Sequence, residues 1–383
     1  MWTAQKNIKL ETYFYHPLTP FQWFLIIGLV LTFLIDLIYS IFYCRKLKIK
    51  NNPYIHSETI PISIIVCAKN QAQYLEKNLP GLLTQDYPEY EIIVVDNGSV
   101  DDTEDVLIRL KNVYPNLRST QIPIDEKFKH NKKLAITIGV KAAKYNQIIH
   151  LNPNGFTNSK TWLSNTIAHA KGKLHNAYSN FEYQKGFFYN FLRYDIIKQT
   201  IKLASFTSIN KLYAGNAFNM SFLKSDFLAN KGYAGNAHFE AGYDHILCMD
   251  LAKKSDYTFC TNPDCKITID TKNHYKTWKI INKHYFKSRK YIPFKRKLLL
   301  DLEPITHFLF IVLLILALLK TQLYFSLLAI CMVIFFIKGY CFKISIRHLR
   351  EENLFLSSYV YVLLRPLYKL LFYIQSHIYS KRS

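Results

Sequence analysis

The chain has 383 residues, enough for one large domain or two of ordinary size. Half of the residues are hydrophobic and the mean hydropathy is −0.02, high for a purely soluble protein, so long apolar runs sit inside an otherwise polar chain. The formal net charge of +22 raises the question of a nucleic-acid partner. No helix-turn-helix, zinc-finger or RNA-binding signature accompanies it, and much of the Lys and Arg flanks apolar segments, which suits anionic lipid headgroups and not nucleic acid.

In chain order, an N-terminal extracytoplasmic segment (1–20) leads into nearly continuous apolar sequence from Phe21 to Tyr43. That run is long enough to span a bilayer. It is too long for the apolar core of a removable signal, and no small-residue cleavage site follows. Arg45, Lys46, Lys48 and Lys50 come next, in a basic linker (44–59). Positive charge on that side predicts an outside N-terminus and a cytoplasmic next domain. Asp36 lies within the span, where an acid is costly, and is expected to face another helix or a headgroup.

Residues 60–290 read as alternating strands and helices. PISIIVCAK (61–69) and EIIVVDNGS (91–99) are short β-branched runs bounded by polar residues, hence buried strands. A helix is predicted over about 72–83. Ser99 and Asp102 form a Ser-x-x-Asp helix start, followed by Val106, Leu107, Leu110 and Val113 at helical spacing. A further helix (about 134–143) and a strand (147–151) complete the pattern. Such units imply an α/β fold with a mostly parallel sheet and ligands at the carboxyl ends of its strands. Four groups then gather on one edge: Ala68–Asn70, Asp96, the Lys132–Lys133 pair, and Asn152–Asn154. The last belongs to IIHLNPNGF (148–156), where an apolar strand breaks into Asn-Pro and Asn-Gly turn dipeptides.

A second apolar block, 304–337, is interrupted by Lys320-Thr321-Gln322 and reads as a transmembrane hairpin. Basic residues flank both ends, so both ends are expected in the cytoplasm. Residues 354–374 mix aromatic and apolar residues with Arg365, Pro366 and Lys369, which predicts an amphipathic helix lying in the interface, a third span being the alternative. A basic tail (375–383) ends the chain. The seven cysteines contain no CxxC pair and read mostly as small buried hydrophobes in a reducing compartment; Cys260 and Cys265 are near enough to pair, but nothing requires it. The Lys-, Asn-, Ile- and Tyr-rich composition suggests an AT-rich bacterial genome. The expected location is therefore the bacterial inner membrane, multi-pass, with the main domain cytoplasmic.

The runs PISIIVCAKNQAQYLEKNLPGLLTQDYPEYEIIVVDNGSVDDT (61–103), NKKLAITIGVKAAKYNQIIHL (131–151), GNAFNMSFLKSDFLANKGYAG (215–235) and AGYDHIL (241–247) carry a family resemblance. Together they resemble a membrane-bound family-2 inverting glycosyltransferase of GT-A fold. The resemblance implies a nucleotide-sugar donor and a lipid-linked or saccharide acceptor, with membrane lipids around the helices. It puts the nucleoside against Ala68, Asn70 and Asp96, and a basic residue at Lys133. An Asp-x-Asp motif that holds Mg2+ or Mn2+ on the diphosphate corresponds here to Asn152-Pro153-Asn154. Gly242-Tyr243-Asp244 matches the acidic pair that supplies the base; Tyr243 replaces one acid and Asp244 is retained as the catalytic residue. A final basic and aromatic element falls near Lys276–Arg289, with Trp278, His284 and Arg289 on the acceptor or phosphate side.

The asparagines depart from that pattern in a way that matters chemically. Hard divalent cations favour carboxylates, and an Asn carbonyl brings no charge. No confident metal ligand is left. Two readings stay open. In one, transfer proceeds with local cations replacing the metal, drawn from Lys133, His150, Lys276, His284, Lys287 and Arg289. In the other, the protein is catalytically silent and binds a nucleotide-sugar, a glycolipid or a partner enzyme.

Overall fold

The computed structural model describes residues 19–47, 60–123, 131–170, 174–236, 238, 241–320 and 324–380. Residues 1–18, 48–59 and 381–383, which include most of the predicted N-terminal segment, most of the basic linker and the end of the tail, lie outside the described residues. Two compact units divide the chain: one runs up to residue 41 and adds 298–340, the other takes 42–297 and 341–383.

Helix α1 (Pro20–Leu47) opens the described chain. The larger unit then alternates β1 (Ile62–Ala68), α2 (Ala72–Leu83), β2 (Tyr90–Asp96), α3 (Thr103–Val113), β3 (Leu117–Gln121), α4 (Lys132–Ala142) and β4 (Gln147–Leu151). It continues through β5 (Gly155–Phe156), α5 (Trp162–Ala168), β6 (Leu174–Ala177), β7 (Ser179–Phe181), α6 (Phe187–Thr207), β8 (Met220–Leu223) and α7 (Lys224–Ala229). Then come α8 (Tyr243–Leu251), β9 (Tyr257–Cys260), β10 (Ile267–Ile269) and α9 (His274–Ser288). Three long helices follow: α10 (Phe294–Lys320), α11 (Tyr324–His348) and α12 (Phe355–Ser380).

Seven strands form one sheet in the order β3-β2-β1-β4-β8-β6-β9, and β5-β10-β7 form a small second sheet. β1 lies parallel between β2 and β4, and β2 is parallel to β3. β8 runs antiparallel to β4 and β6, which makes the sheet mixed. Every residue of β1 and β4 is buried, as strands covered on both faces require. Alternation decides which side each residue serves. Ile62, Ile64, Val66 and Ala68 join Leu75, Leu79 and Leu82 of α2 in one core cluster. Ile65 points the other way, toward α4. There Gly139 lets helix and strand approach: a Cβ on it would lie 2.5 Å from Ile65 Cγ2.

The predicted elements at 61–69, 72–83 and 147–151 match β1, α2 and β4. The Ser99 helix start does not. α3 begins at Thr103, and no side chain caps it from Asp102. Ser99 instead turns back to Asp96, while Asp101 accepts from the Ala72 backbone and the Thr103 hydroxyl. Ser99 is held by Asp96 three residues back and by the Asn70 N–H of the β1 loop, so its hydroxyl is not free to cap α3.

The last helix carries its basic residues inward. Arg365 Nε and Lys369 Nζ donate to the Asp195 carboxylate on α6 at 2.8 and 3.1 Å, and the Trp278 indole donates to it at 2.8 Å. Arg365 and Lys369 therefore meet a carboxylate and not the headgroups expected of them. Glu351, just beyond α11, similarly receives Arg193, Lys266 and the Tyr178 hydroxyl.

In the smaller unit, Leu25 and Leu29 of α1 pack with Phe310, Leu313 and Ala317 of α10 and Ile334 of α11. Asp36 turns toward two other helices: His307 Nδ1 lies 2.8 Å from it and Lys338 Nζ 2.5 Å. Among the described residues, three helical stretches are long and apolar enough to cross a bilayer: Pro20–Leu47, Phe294–Lys320 and Ala329–His348.

Breaking the Asp195 cluster tests this packing. Asp195→Ala strands two half-buried cations and the buried Trp278 N–H and should cost about 3 kcal/mol, read as a lower unfolding midpoint in detergent. The neighbouring ammonium of Lys369 and guanidinium of Arg365 outweigh burial and hold the Asp195 carboxyl well below its ordinary range. Its contribution is therefore present above the unfolded carboxyl pKa of about 3.9 and lost as pH falls below it. An Asp195→Ala protein as stable as wild type at pH 7 would refute the assignment.

Candidate active site

The parallel register aligns Ala68 with Asp96 and Val66 with Leu151, so the carboxyl ends of β1, β2 and β4 lie side by side. The Asp96 carboxylate accepts the Ser99 backbone N–H at 3.0 Å and its hydroxyl at 2.5 Å, both on Oδ1. Ser99 Oγ in turn accepts the Asn70 N–H, and Asn70 Oδ1 accepts the Val100 N–H. Asn70 takes a left-handed φ of 52°, which asparagine tolerates better than most residues. These bonds lock the β1 and β2 loops together. They leave Asp96 Oδ2 without a donor among the described residues.

The IIHLNPNGF stretch is a turn at that edge. The Gly155 N–H closes it on the Asn152 carbonyl, and the Asn154 carbonyl accepts from Asp270. The Asn152 side chain has a specific partner: Lys132 Nζ donates to its Oδ1. Lys132 is the first residue of α4, a helix whose start is capped by the Asn131 side chain. Lys133, the residue expected at this edge, is buried with its ammonium 5.9 Å from the Tyr243 ring centroid.

Tyr243 and Asp244 open α8. Gly242 before them holds φ 83°, and a Cβ there would lie 2.7 Å from the His284 carbonyl oxygen, so glycine is what lets α8 begin against α9. Asp244 is fully buried and accepts the Tyr233 hydroxyl at 3.2 Å. Burial raises its pKa; the Lys132 ammonium and the Tyr233 bond oppose that without cancelling it. A carboxylate held above its ordinary range suits a base working near neutral pH.

The Lys132 charge reaches well beyond Asn152. It acts on Cys67 at the end of β1, on His150 in β4, on Asp244 and on His284. His284 stands with its ring 5.5 Å from that of Tyr243. Burial and the surrounding basic groups push it down to about 3, and burial with Lys132 does the same to His150. Both imidazoles are neutral at pH 7, so neither serves as the local cation expected of it. Arg289 follows α9, its guanidinium 5.8 Å from the Tyr285 ring centroid. Trp278 is not at the edge: it is fully buried and its N–H is spent on Asp195.

An uncharged asparagine side chain bonded to an ammonium does not fit a divalent cation. At 4 Å and an effective dielectric near 20, one pair of unit charges interacts by about 4 kcal/mol, so a doubly charged ion would meet roughly twice that in repulsion. The described donors group elsewhere, as buried His169, Cys260 and Cys265 with ligand atoms within 4.8 Å of one another. That set is one short of a closed tetrahedron, and His169 Nδ1 already lies 2.8 Å from the Asn165 carbonyl.

Residues 63–226 match the family model described as Glycosyl transferase family 2. Glycosyltransferase AglE of Haloferax volcanii is 38% identical over 64 residues, 16% of this chain and 21% of that protein. A poly-beta-1,6-N-acetyl-D-glucosamine synthase of Staphylococcus epidermidis is 25% identical over 108 residues, 28% of this chain and 24% of that one. The matches thus span about a quarter or less of the curated relatives. Among solved structures, a mannosyltransferase of Pyrobaculum calidifontis, in complex with GDP-Man and Mn2+, aligns with a TM-score of 0.58 and 17% identity, over 91% of this chain and 99% of that one. That likeness is one of fold, the GT-A α/β architecture. The sheet has the GT-A fold, and within it residues 63–226 carry the match to glycosyltransferase family 2.

Replacing Gly242 tests how the edge is assembled. Gly242→Ala should cost about 1–3 kcal/mol in strain and lower the unfolding midpoint; an unchanged midpoint would mean that α8 can start without the left-handed residue.

Proposed function

We propose that the protein transfers a sugar, with inversion, from a nucleotide-sugar to a hydroxyl of a lipid-linked or membrane-proximal saccharide, and that it does so without a divalent metal. The observation that carries this reading is Asp244, a buried carboxylate with a raised pKa at the edge that also holds Asp96 and Asn152. The acceptor oxygen attacks the anomeric carbon as the bond to the diphosphate breaks, and Asp244 takes the hydroxyl proton. A single displacement inverts the configuration.

Ala68, Asn70 and Asp96 receive the nucleoside, with the second oxygen of Asp96 accepting from a ribose hydroxyl or a base N–H. Lys133 and Asn154 line the donor side. Gly242, His284 and Arg289 line the acceptor or phosphate side. A solved relative in fold was captured with GDP-Man, and a relative in sequence is named for N-acetyl-D-glucosamine, so GDP- and UDP-sugars are the donors to try first. The three apolar helices support a membrane-proximal acceptor, and the basic flanks support the cytoplasmic face of a bacterial inner membrane.

Asp244→Asn should lower turnover by about 10²–10⁴-fold while leaving nucleotide affinity, measured by calorimetry, unchanged. Retained turnover would remove Asp244 from the base role. Tyr233→Phe takes away a donor that favours the charged Asp244. Its pKa then rises further, and because the base must be deprotonated, the acid limb of the rate profile moves to higher pH. An unmoved acid limb would mean that another group controls it.

A further inference from the structure

Lys132 has an unusual set of neighbours for a residue at the start of a helix. Its Nζ donates to Asn152 Oδ1, and its charge acts on Cys67, His150, Asp244 and His284, drawn from four different elements. Asn152 occupies the first position of the turn that ends β4. With Oδ1 accepting from Lys132, the amide keeps its two Nδ2 hydrogens to offer, beside one remaining acceptor lone pair. The side chains of Asn152 and Lys132 therefore present N–H donors and a net charge of +1. Two carboxylates with a divalent ion would sum to zero and leave the ion to face the phosphates. The pair here keeps the sign that an anionic leaving group needs.

We propose that the Lys132 ammonium, held in position by Asn152, stands where a divalent cation would otherwise bridge the donor diphosphate. This rests on the glycosyltransfer reading above. When the acceptor oxygen bonds to the anomeric carbon, the bond from that carbon to the phosphate oxygen breaks and its electron pair stays with the diphosphate. The acceptor proton goes to Asp244. The nucleoside diphosphate gains one negative charge, which Lys132 meets as a hydrogen-bond donor without giving up its proton. Lys132 stays with the leaving group, and Asp244 with the acceptor. Sequence alone favoured the next residue, Lys133, for the basic role.

The test is calorimetric titration of the full-length protein in detergent with UDP, GDP and the matching nucleosides, in EDTA and in Mn2+. Wild type should bind one diphosphate equally in both. Lys132→Ala should weaken the diphosphate by about 10–100-fold and leave the nucleoside unchanged, with Lys132→Arg recovering most of the loss. The triple variant Lys132→Ala/Asn152→Asp/Asn154→Asp should regain diphosphate binding only in Mn2+. Equal unfolding midpoints across the set exclude misfolding as the cause, and Lys132→Gln replaces the alanine variant if that one fails to fold. Diphosphate binding that needs Mn2+ in wild type overturns the proposal together with the metal-free part of the reading above, and binding that survives Lys132→Ala intact overturns the proposal alone; sugar transfer itself stands in both cases. No binding of either nucleotide to wild type under any condition overturns both.

Discussion

The parallel pairing of β1 with β2 on one side and β4 on the other is the constraint from which the site follows. Parallel strands cannot be joined by a tight turn, so each must be followed by a crossover that returns the chain to the same end. α2, α3 and α4 are parts of those crossovers. As a result β1, β2 and β4 all end at one edge: Ala68, Asp96 and Asn152, the residue that follows β4, gather there although they are far apart in the chain. The strands are fully buried, so a slip of one residue would turn an apolar face to the wrong side. Core packing therefore fixes the positions of polar groups that take no part in the core.

Electrostatics then sorts those groups. Burial alone would neutralise Asp244 and keep His150 and His284 uncharged, and only the two imidazoles follow it fully. Lys132 opposes burial at Asp244 and reinforces it at both histidines. One ammonium thus keeps a carboxylate within reach of its charged form while holding nearby imidazoles neutral. The same charge is what makes the edge inhospitable to a second cation. The uncharged side chain of Asn152 and the lysine bonded to it are two sides of one electrostatic arrangement.

Buried ionic groups elsewhere perform a different task. Asp195 and Glu351 each collect several partners from segments distant in sequence, tying α6 to α9, α12 and the segment after α11. Such clusters add little net stability over an apolar equivalent, but they are costly to break singly. Trp278 belongs to this framework. The resemblance put this tryptophan on the acceptor or phosphate side, and its N–H serves Asp195.

The sequence by itself determined the strands PISIIVCAK, EIIVVD and QIIHL, the helix that begins at Ala72, the three apolar helices and the glycosyltransferase resemblance. Those features rest on local periodicity, strand length and apolar run length, which are properties of neighbouring residues. The uncharged Asn152-Pro153-Asn154 turn was legible for the same reason, as a short run at a strand end, whereas the roles expected of it and of Asp244 came from the family resemblance. What the tertiary structure decided was partnership. Lys132 and Lys133 are adjacent, but successive helix residues point about 100° apart, so only the docking of α4 could send one to Asn152 and the other to Tyr243. Ser99 faced a choice between capping α3 and receiving the Asn70 N–H of the β1 loop. Arg365 and Lys369 faced one between headgroups and a carboxylate some 170 residues away in the chain. Each was settled by long-range packing, because a charged group goes to the buried partner that the fold brings within reach, and sequence spacing does not encode that distance.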